Sequence, residues 1–392
     1  MAQWEVCSDC KIKTIAEAIE NASPADTIFV LKGIYREHEL TLLKSLHLIG
    51  VGNPVIDGME MGEILGIQAD SVTVTGFTFR NVKLSHTKDN AAIHVFRSNH
   101  FTIENNILED VFFGILLEKS KYGKIRNNKV SGNSLKEFQS GNGIHVWDCS
   151  FMEITNNTLH ALRDGIYFEF VDESVVSGNL SYDNIRYGLH FMFSNHDQYF
   201  GNTFRNNGAG VAVMFSKFID MRDNIFEKNW GASSFGLLLK EIYDAEIVNN
   251  TFRENTIAIN VDGSSRINYT QNDLISNGWA IKITGGCYEN IFSTNNFIGN
   301  SFDVSYNSKM NDNRFEDNYW SNYAGYDLDR DGIGDVPYRP IKLFSYIVNR
   351  TPETIVLLRS LFIDLLNFSE KVSPIFTPDD LVDLSPRTQI IP

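Results

Sequence analysis

A repeat of about 22 residues predicts an all-β fold for this chain, a right-handed parallel β-helix with a short N-terminal helical cap and a C-terminal helical tail. Three observations carry that prediction. A unit of the form Gly, apolar, x, apolar recurs as Gly165-Ile166-Tyr167-Phe168, Gly188-Leu189-His190-Phe191 and Gly210-Val211-Ala212-Val213, its glycines 23 and 22 residues apart. A turn Asn follows the same spacing through Asn106, Asn128, Asn157, Asn179, Asn202, Asn224, Asn250, Asn272, Asn296 and Asn313, most steps being 22 to 24 residues. Apolar residues alternate strictly with variable ones after each glycine, the period-2 pattern of a strand with one buried face.

About 22 residues suffice for three short strands and three turns, and each such coil stacks on the last at about 4.8 Å. The inward positions are Ile115, Ile144, Ile166, Leu189, Val211 and Leu237, with Leu117, Val146, Phe168, Phe191, Val213 and Leu239 two residues further on. The recurring Asn tolerates the left-handed backbone of the turn, and its amide can bond to the amide above it along the axis. A longer step of 29 residues after Asn128 predicts a loop insertion at one corner, from Ser134 to Asn142.

A solenoid grows by adding coils, so 392 residues need no second domain. The organisation expected is a cap with first strands over 1–46, the β-helix over 47–316, an Asp-rich loop over 317–341 and an apolar helix with an extended tail over 342–392. The net charge of -15 argues against a nucleic-acid partner, since phosphate binding needs a basic footprint. Cationic partners or metals suit it better. No apolar run is long enough to span a bilayer. No signal peptide is present, and Met1-Ala2-Gln3-Trp4 reads as a start placed on a mature chain.

Near the N-terminus, Cys7-Ser8-Asp9-Cys10 has no second pair or neighbouring His, which leaves a disulfide, a metal site and inert thiols all open. Cys149 and Cys287 are isolated, and packing in the core is the role expected of them. From Lys11 to Ala22 the spacing of Ile12, Ile15, Ala18 and Ile19 is helical, and this helix is expected to cover the open end of the stack, whose strand edges are otherwise unpaired.

On the outward side of the Gly-initiated strand, residues form a ladder one coil apart: His94 and Phe96, Leu116 and Glu118, His145 and Trp147, Tyr167 and Glu169, His190 and Met192, Ala212 and Met214. With this register Met214 is expected about 4.8 Å along the axis from Met192, with His190 on the same face. Two thioethers and an imidazole suit Cu(I) better than a hard cation. His145, two coils from His190, offers a second position. The plainer alternative is a groove for a partner protein, because Met favours adaptable surfaces. Met152 and Met221 fall on inward register, and His160 and His196 fall in turns.

Arg163 and Arg186 occupy equivalent positions in adjacent coils, near Asp164 and Glu169. This arrangement supports a second class of function, a polysaccharide lyase or hydrolase clamping an anionic sugar through Arg163, Arg186 and Glu169. The structural alternative is that each arginine pairs with a carboxylate and fixes a loop.

The run Asp327-Leu328-Asp329-Arg330-Asp331-Gly332-Ile333-Gly334-Asp335 has the alternating carboxylates and bend glycine of a calcium loop, but Tyr338 stands where an EF-hand has its Glu. A calcium-stabilised turn and a polar turn bonding its own backbone both remain open. Beyond it Thr351-Pro352-Glu353 reads as a helix start. The helix it opens is apolar over most of its surface, through Ile355, Leu358, Phe362, Leu365 and Leu366, and so must be buried against something. Arg359 and Asp364 interrupt it, and Pro374, Pro378 and Pro386 break the rest of the tail into extended segments.

The ordered set Arg163-Asp164-Gly165-Ile166-Tyr167 with Glu169, Arg186-Tyr187-Gly188-Leu189-His190-Phe191-Met192-Phe193-Ser194 and Gly210-Val211-Ala212-Val213-Met214-Phe215-Ser216-Lys217 resembles the NosD family of nitrous oxide reductase maturation proteins. The likeness extends to Asn318-Tyr319-Trp320-Ser321-Asn322-Tyr323, to Asp335-Val336-Pro337-Tyr338-Arg339-Pro340, and to the tail from Leu343-Phe344-Ser345-Tyr346 through Leu381-Val382-Asp383-Leu384-Ser385-Pro386. The resemblance implies a periplasmic, non-enzymatic protein seated on the membrane subunits of an ABC transporter. Such a protein takes copper from a metallochaperone and helps load nitrous oxide reductase. It gives the ladder of His190, Met192, Met214, His145 and Glu169 a purpose in carrying Cu(I), and makes the apolar tail a docking element. The Cys7 to Cys10 pair is not part of the family pattern.

Overall fold

A computed structural model describes residues 2–85, 87–133, 136–307, 312–358, 360–372 and 381–392. Ser134, Arg359, Pro374 and Pro378 lie outside the described residues. Two compact units carry the fold, Met1–Gly208 and Ala209–Pro392.

In the first unit three parallel sheets each take one short strand per coil. The first opens with Gln3–Val6, Thr27–Leu31 and His47–Val51, the second with Ile34–Tyr35, Val55–Asp57 and Thr78–Arg80, the third with Leu40–Leu42, Leu65–Ile67 and Ala91–Phe96. The second unit repeats the plan; its third sheet runs through Ala209–Met214, Leu237–Lys240, Ile257–Asp262, Trp279–Thr284 and Phe302–Tyr306. Because Gln3–Val6 already pairs with Thr27–Leu31, stacking starts ahead of the boundary expected at residue 47. It also continues beyond 316, since Tyr319–Trp320 pairs with Asn296–Ile298.

The inward columns are as the alternation predicts. In the first unit Ile115, Ile144, Ile166 and Leu189 stack with Leu117, Val146, Phe168 and Phe191, all inaccessible to solvent, and Val211, Val213, Leu237 and Leu239 do the same in the second. The glycine ahead of each strand has a steric reason. A Cβ on Gly143 would meet the carbonyl oxygen of Gly165 at 2.6 Å, and one on Gly165 the carbonyl oxygen of Gly188 at 2.6 Å.

Stacked amides run through both units. In the first, Nδ2 of Asn106 donates to Oδ1 of Asn128 at 3.2 Å, Asn128 donates to Asn157, Asn157 to Asn179 and Asn179 to Asn202, each at 3.0 Å. Each bond replaces water on a buried amide, which is worth about 1 kcal/mol net but costs more if left unmade. In the second unit Asn224, Asn250 and Asn272 continue to Asn295 and Asn318, not to Asn296 and Asn313. Asn296 turns instead to Asp273 and to the carbonyl of Ile391, and Asn313 stacks with Asn290 in a separate column. The left-handed backbone also sits one position ahead of the ladder Asn, at Asn105, Asn127, Asn156 and Asn249.

The N-terminal helix α1 spans Ile15–Asn21 and buries Ile15, Ala18 and Ile19. Thr14 accepts from the Glu17 N–H, the Glu37 carboxylate accepts from the N–H groups of Ile15 and Ala16, and the Lys44 ammonium donates to the carbonyls of Ile19, Glu20 and Ala22. These partners satisfy both ends of a helix too short to persist alone.

At the other end the expected helix from Thr351 is three pieces: α2 over Leu343–Arg350, a 3-10 turn over Pro352–Leu357, and α3 over Leu361–Val372. Thr351 closes α2 and makes no side-chain cap. Phe344, Val348 and Ile363 bury against Phe302, with Trp279, Leu358 and Leu366 packed around them, so the tail does fold onto its own last coils. The final residues return to the stack, Asp383 bridging to Phe315 and Arg387 to Tyr319.

Candidate functional site

The outer face of the third sheet in the first unit carries His145, Tyr167, Glu169, His190 and Met192. Parallel register places His145 beside Tyr167 and Tyr167 beside His190 in one column, with Trp147, Glu169 and Met192 in the column next to it. Leu189 and Phe191 turn into the core, and their burial fixes His190 and Met192 on the opposite side of the strand. Met214 ends the equivalent strand of the second unit, half-buried and in register with Lys240.

His190 is outward in register yet only 5 % exposed. The Tyr187 ring lies 4.8 Å from its imidazole and the Tyr167 ring 5.1 Å, closing it from solvent. Neither ring nitrogen has a hydrogen-bond partner among the described residues. Burial, then the charges of Arg186 and Arg163, lower its pKa to about 4, so at neutral pH the imidazole is uncharged. His145 is held similarly, lowered to about 4 by burial and Arg163, with the Asn142 amide 3.3 Å from Nδ1 and the Tyr167 ring 4.7 Å away. Tyr167 thus separates the two histidines, in accord with the two-coil spacing.

Arg163 and Arg186 converge on Asp164, which is fully buried. The guanidinium nitrogens stand 3.8 and 3.9 Å from its two oxygens, and Oδ2 lacks a hydrogen bond among the described residues. Burial raises the Asp164 pKa, opposed by both arginines. Arg186 also reaches Glu137 at 3.4 Å, from the loop inserted after Asn128, and lies 4.9 Å over the Tyr187 ring. Each arginine therefore meets a carboxylate, the arrangement of the structural alternative. Sequence reasoning missed the shielding by Tyr187 and the contribution of Glu137.

Lower on the same face His94 joins Glu63 at 3.1 Å and Glu118 at 2.7 Å. Cys7 and Cys10 form a disulfide, and Cys149 and Cys287 are buried free thiols. Met152 and Met221 are core residues. In the Asp-rich loop, carboxylate oxygens of Asp327, Asp329 and Asp331 lie within 4.8 Å of one another. Asp327 also accepts from the N–H groups of Arg330 and Gly332, and Asp335 accepts from that of Leu328. Of the tail residues, Ile355, Phe362 and Leu365 are exposed, whereas Leu358 and Leu366 share in the chain's own packing.

The family profile described as "Periplasmic copper-binding protein (NosD)" matches residues 19–140 and 131–325. The chain belongs to the NosD family. A relative in Pseudomonas aeruginosa, named "Probable ABC transporter binding protein NosD", is 26% identical over 88% of this chain and 84% of its own length. One of the same name in Stutzerimonas stutzeri is also 26% identical, over 90% of this chain and 84% of its own. Among solved structures the A-module of the Azotobacter vinelandii mannuronan C-5 epimerase AlgE6 is similar in fold, with a TM-score of 0.58 at 16% identity over 77% of this chain and 92% of that one. That likeness shows the parallel β-helix and nothing about activity. A copper ion handled by a NosD protein is cargo; soft donors suit Cu(I), and one face here carries an imidazole whose nitrogens have no hydrogen-bond partner among the described residues, together with a thioether.

Proposed function

We propose that this chain is a non-catalytic periplasmic copper carrier. It takes Cu(I) from a metallochaperone, docks on the membrane subunits of an ABC transporter and supplies copper for nitrous oxide reductase. The observation that carries this reading is the His190 imidazole, buried among aromatic rings with neither nitrogen hydrogen-bonded among the described residues. A buried polar group without a partner is costly, and a soft metal ion satisfies it. Met192 supplies sulfur on the same face and Glu169, its register neighbour, a compensating charge. Met214 joins them on the strength of the repeat spacing alone, and His145 offers a second position. X-ray absorption of the Cu(I)-loaded protein tests the donor set: nitrogen and sulfur scatterers together support it, and an all-sulfur shell contradicts it.

The partner reading draws support from the relatives' printed name and from the apolar tail, where Phe362 and Leu365 are each 59% exposed. An uncovered apolar patch of this kind marks an interaction surface. No helix among the described residues is long and apolar enough to cross a membrane. Calcium in the loop of Asp327, Asp329, Asp331 and Asp335 is a separate proposal, resting on the three convergent carboxylates.

A further inference from the structure

The disulfide between Cys7 and Cys10 closes a ring over Ser8 and Asp9, both exposed, and its own two residues are half-buried. It ties the end of the first strand, Gln3–Val6, to the segment leading into α1, and crosses no coil boundary. A crosslink stabilises chiefly through the loop it closes, so a ring this short adds least. The backbone holds the turn independently of it. The Cys7 N–H donates to the Ile12 carbonyl at 3.2 Å and the Cys10 N–H to the Cys7 carbonyl at 3.3 Å, while Val6 bridges to Ile12 with both side chains buried. The Tyr35 hydroxyl lies 3.0 Å from the Val6 carbonyl oxygen. Opening the S–S bond removes none of these contacts.

We infer that Cys7 and Cys10 form a redox-gated copper site, closed as the disulfide and opened by a dithiol. Accessible disulfides that contribute little to folding are the ones with which thiolates exchange. A dithiol attacks one sulfur, passes through a mixed disulfide and leaves as its own disulfide. Two electrons and two protons thereby reach the pair, which becomes two thiols. Cu(I) then displaces both thiol protons and is held by two thiolates, soft ligands that suit it, with no change in the oxidation state of the metal. Oxidised, the pair has no thiolate to offer, and copper is left to the His190 face, whose reading stands or falls separately. The other two cysteines take no part: Cys149 and Cys287 are buried, and burial pushes the Cys149 thiol up to about 12.

Thiol labelling and Cu(I) competition on the full folded chain test the inference. Without reductant no thiol should label. After dithiothreitol is added and then removed anaerobically, Cys7 and Cys10 should both label while the far-ultraviolet spectrum stays unchanged. In a chain carrying His190→Ala, Met192→Ala and Met214→Ala, which isolates the pair, this reduction should raise Cu(I) affinity by at least about tenfold, and Cys7→Ser or Cys10→Ser should abolish the gain. The parent should gain the same increment as a second, separate copper. Thiols that label only after denaturation would make the disulfide a staple of the fold. Thiols that label with no gain in Cu(I) affinity would make the pair an exchange site that binds no copper. Either result overturns the inference. Copper binding by the oxidised parent reports on the His190 face alone, so failure of one reading is distinguishable from failure of the other.

Discussion

The carboxylate of Asp383 ends the amide ladder of the second unit: its Oδ2 accepts from the backbone N–H of Asn318 at 3.2 Å and from its Nδ2 at 3.1 Å. The same oxygen accepts from the Trp320 indole at 2.9 Å. A ladder of amides that each donate upward must end on an acceptor, and an anionic one, fully buried, satisfies three donors at once. Asp383→Ala should therefore destabilise the chain by about 3 kcal/mol or more, with Asp383→Asn recovering part of it. Denaturant melts of the two variants check this; equal losses would mean that charge is irrelevant there.

Asn179 is a mid-ladder test. Its side chain accepts from the Asn157 amide and donates to Asn202 and to the Ile154 carbonyl. Asn179→Ala strands buried groups in two coils and should cost about 2–4 kcal/mol, while the exposed strand residue Gln198 should cost under about 0.5 kcal/mol when changed to Ala.

Acid stability should carry opposite signatures from two histidines. His94 lies between Glu63 and Glu118, which raise its pKa against the lowering effect of burial. Its stabilising contribution is complete below the unfolded value of about 6.5 and fades as pH rises through the elevated folded value. His190, lowered to about 4 by burial and the arginines, acts in reverse: from pH ~6.5 down to ~4 the unfolded chain takes a proton that the folded chain refuses. His94→Gln should thus lose stability relative to the parent mainly at acidic pH, and His190→Gln should flatten the acid decline by on the order of 2–3 kcal/mol.

Much of the fold was legible because a solenoid writes its geometry as a period. The columns Ile115 to Leu189 and Leu117 to Phe191 needed only alternation to be placed. The ladder went astray at Asn295-Asn296, where two adjacent Asn residues differ by one position, and one position reverses the face. His190 was legible as an outward residue, but not as a buried one. Its cover comes from Tyr187 and Tyr167, whose ring directions a spacing cannot reveal. Glu137 reaches Arg186 from an inserted loop, which carries no repeat. Helix α2 escaped because Thr351-Pro352 has the chemistry of a helix start, whereas Thr351 closes the helix before it.

The exposed tail should be dispensable for folding and needed for docking. Phe362→Ser with Leu365→Ser should change stability by no more than about 0.5 kcal/mol per site and abolish co-purification with the transporter's membrane subunits. Retained co-purification would move the docking surface elsewhere.

Calcium should raise the melting temperature of the parent over that in a chelator, and Asp327→Asn with Asp331→Asn should remove the increment. No increment in the parent would leave these carboxylates serving the turn alone, through the bonds to Arg330, Gly332 and Ile333.

Copper carriage is tested most directly by an anaerobic Cu(I) titration against a competing chelator, comparing the parent with His190→Ala, Met192→Ala and Met214→Ala singly and together. Tight binding is expected in the parent, a loss of at least about tenfold for His190→Ala, and none in the triple variant. Binding of undiminished strength in the triple variant would overturn the assignment and place copper elsewhere on the chain.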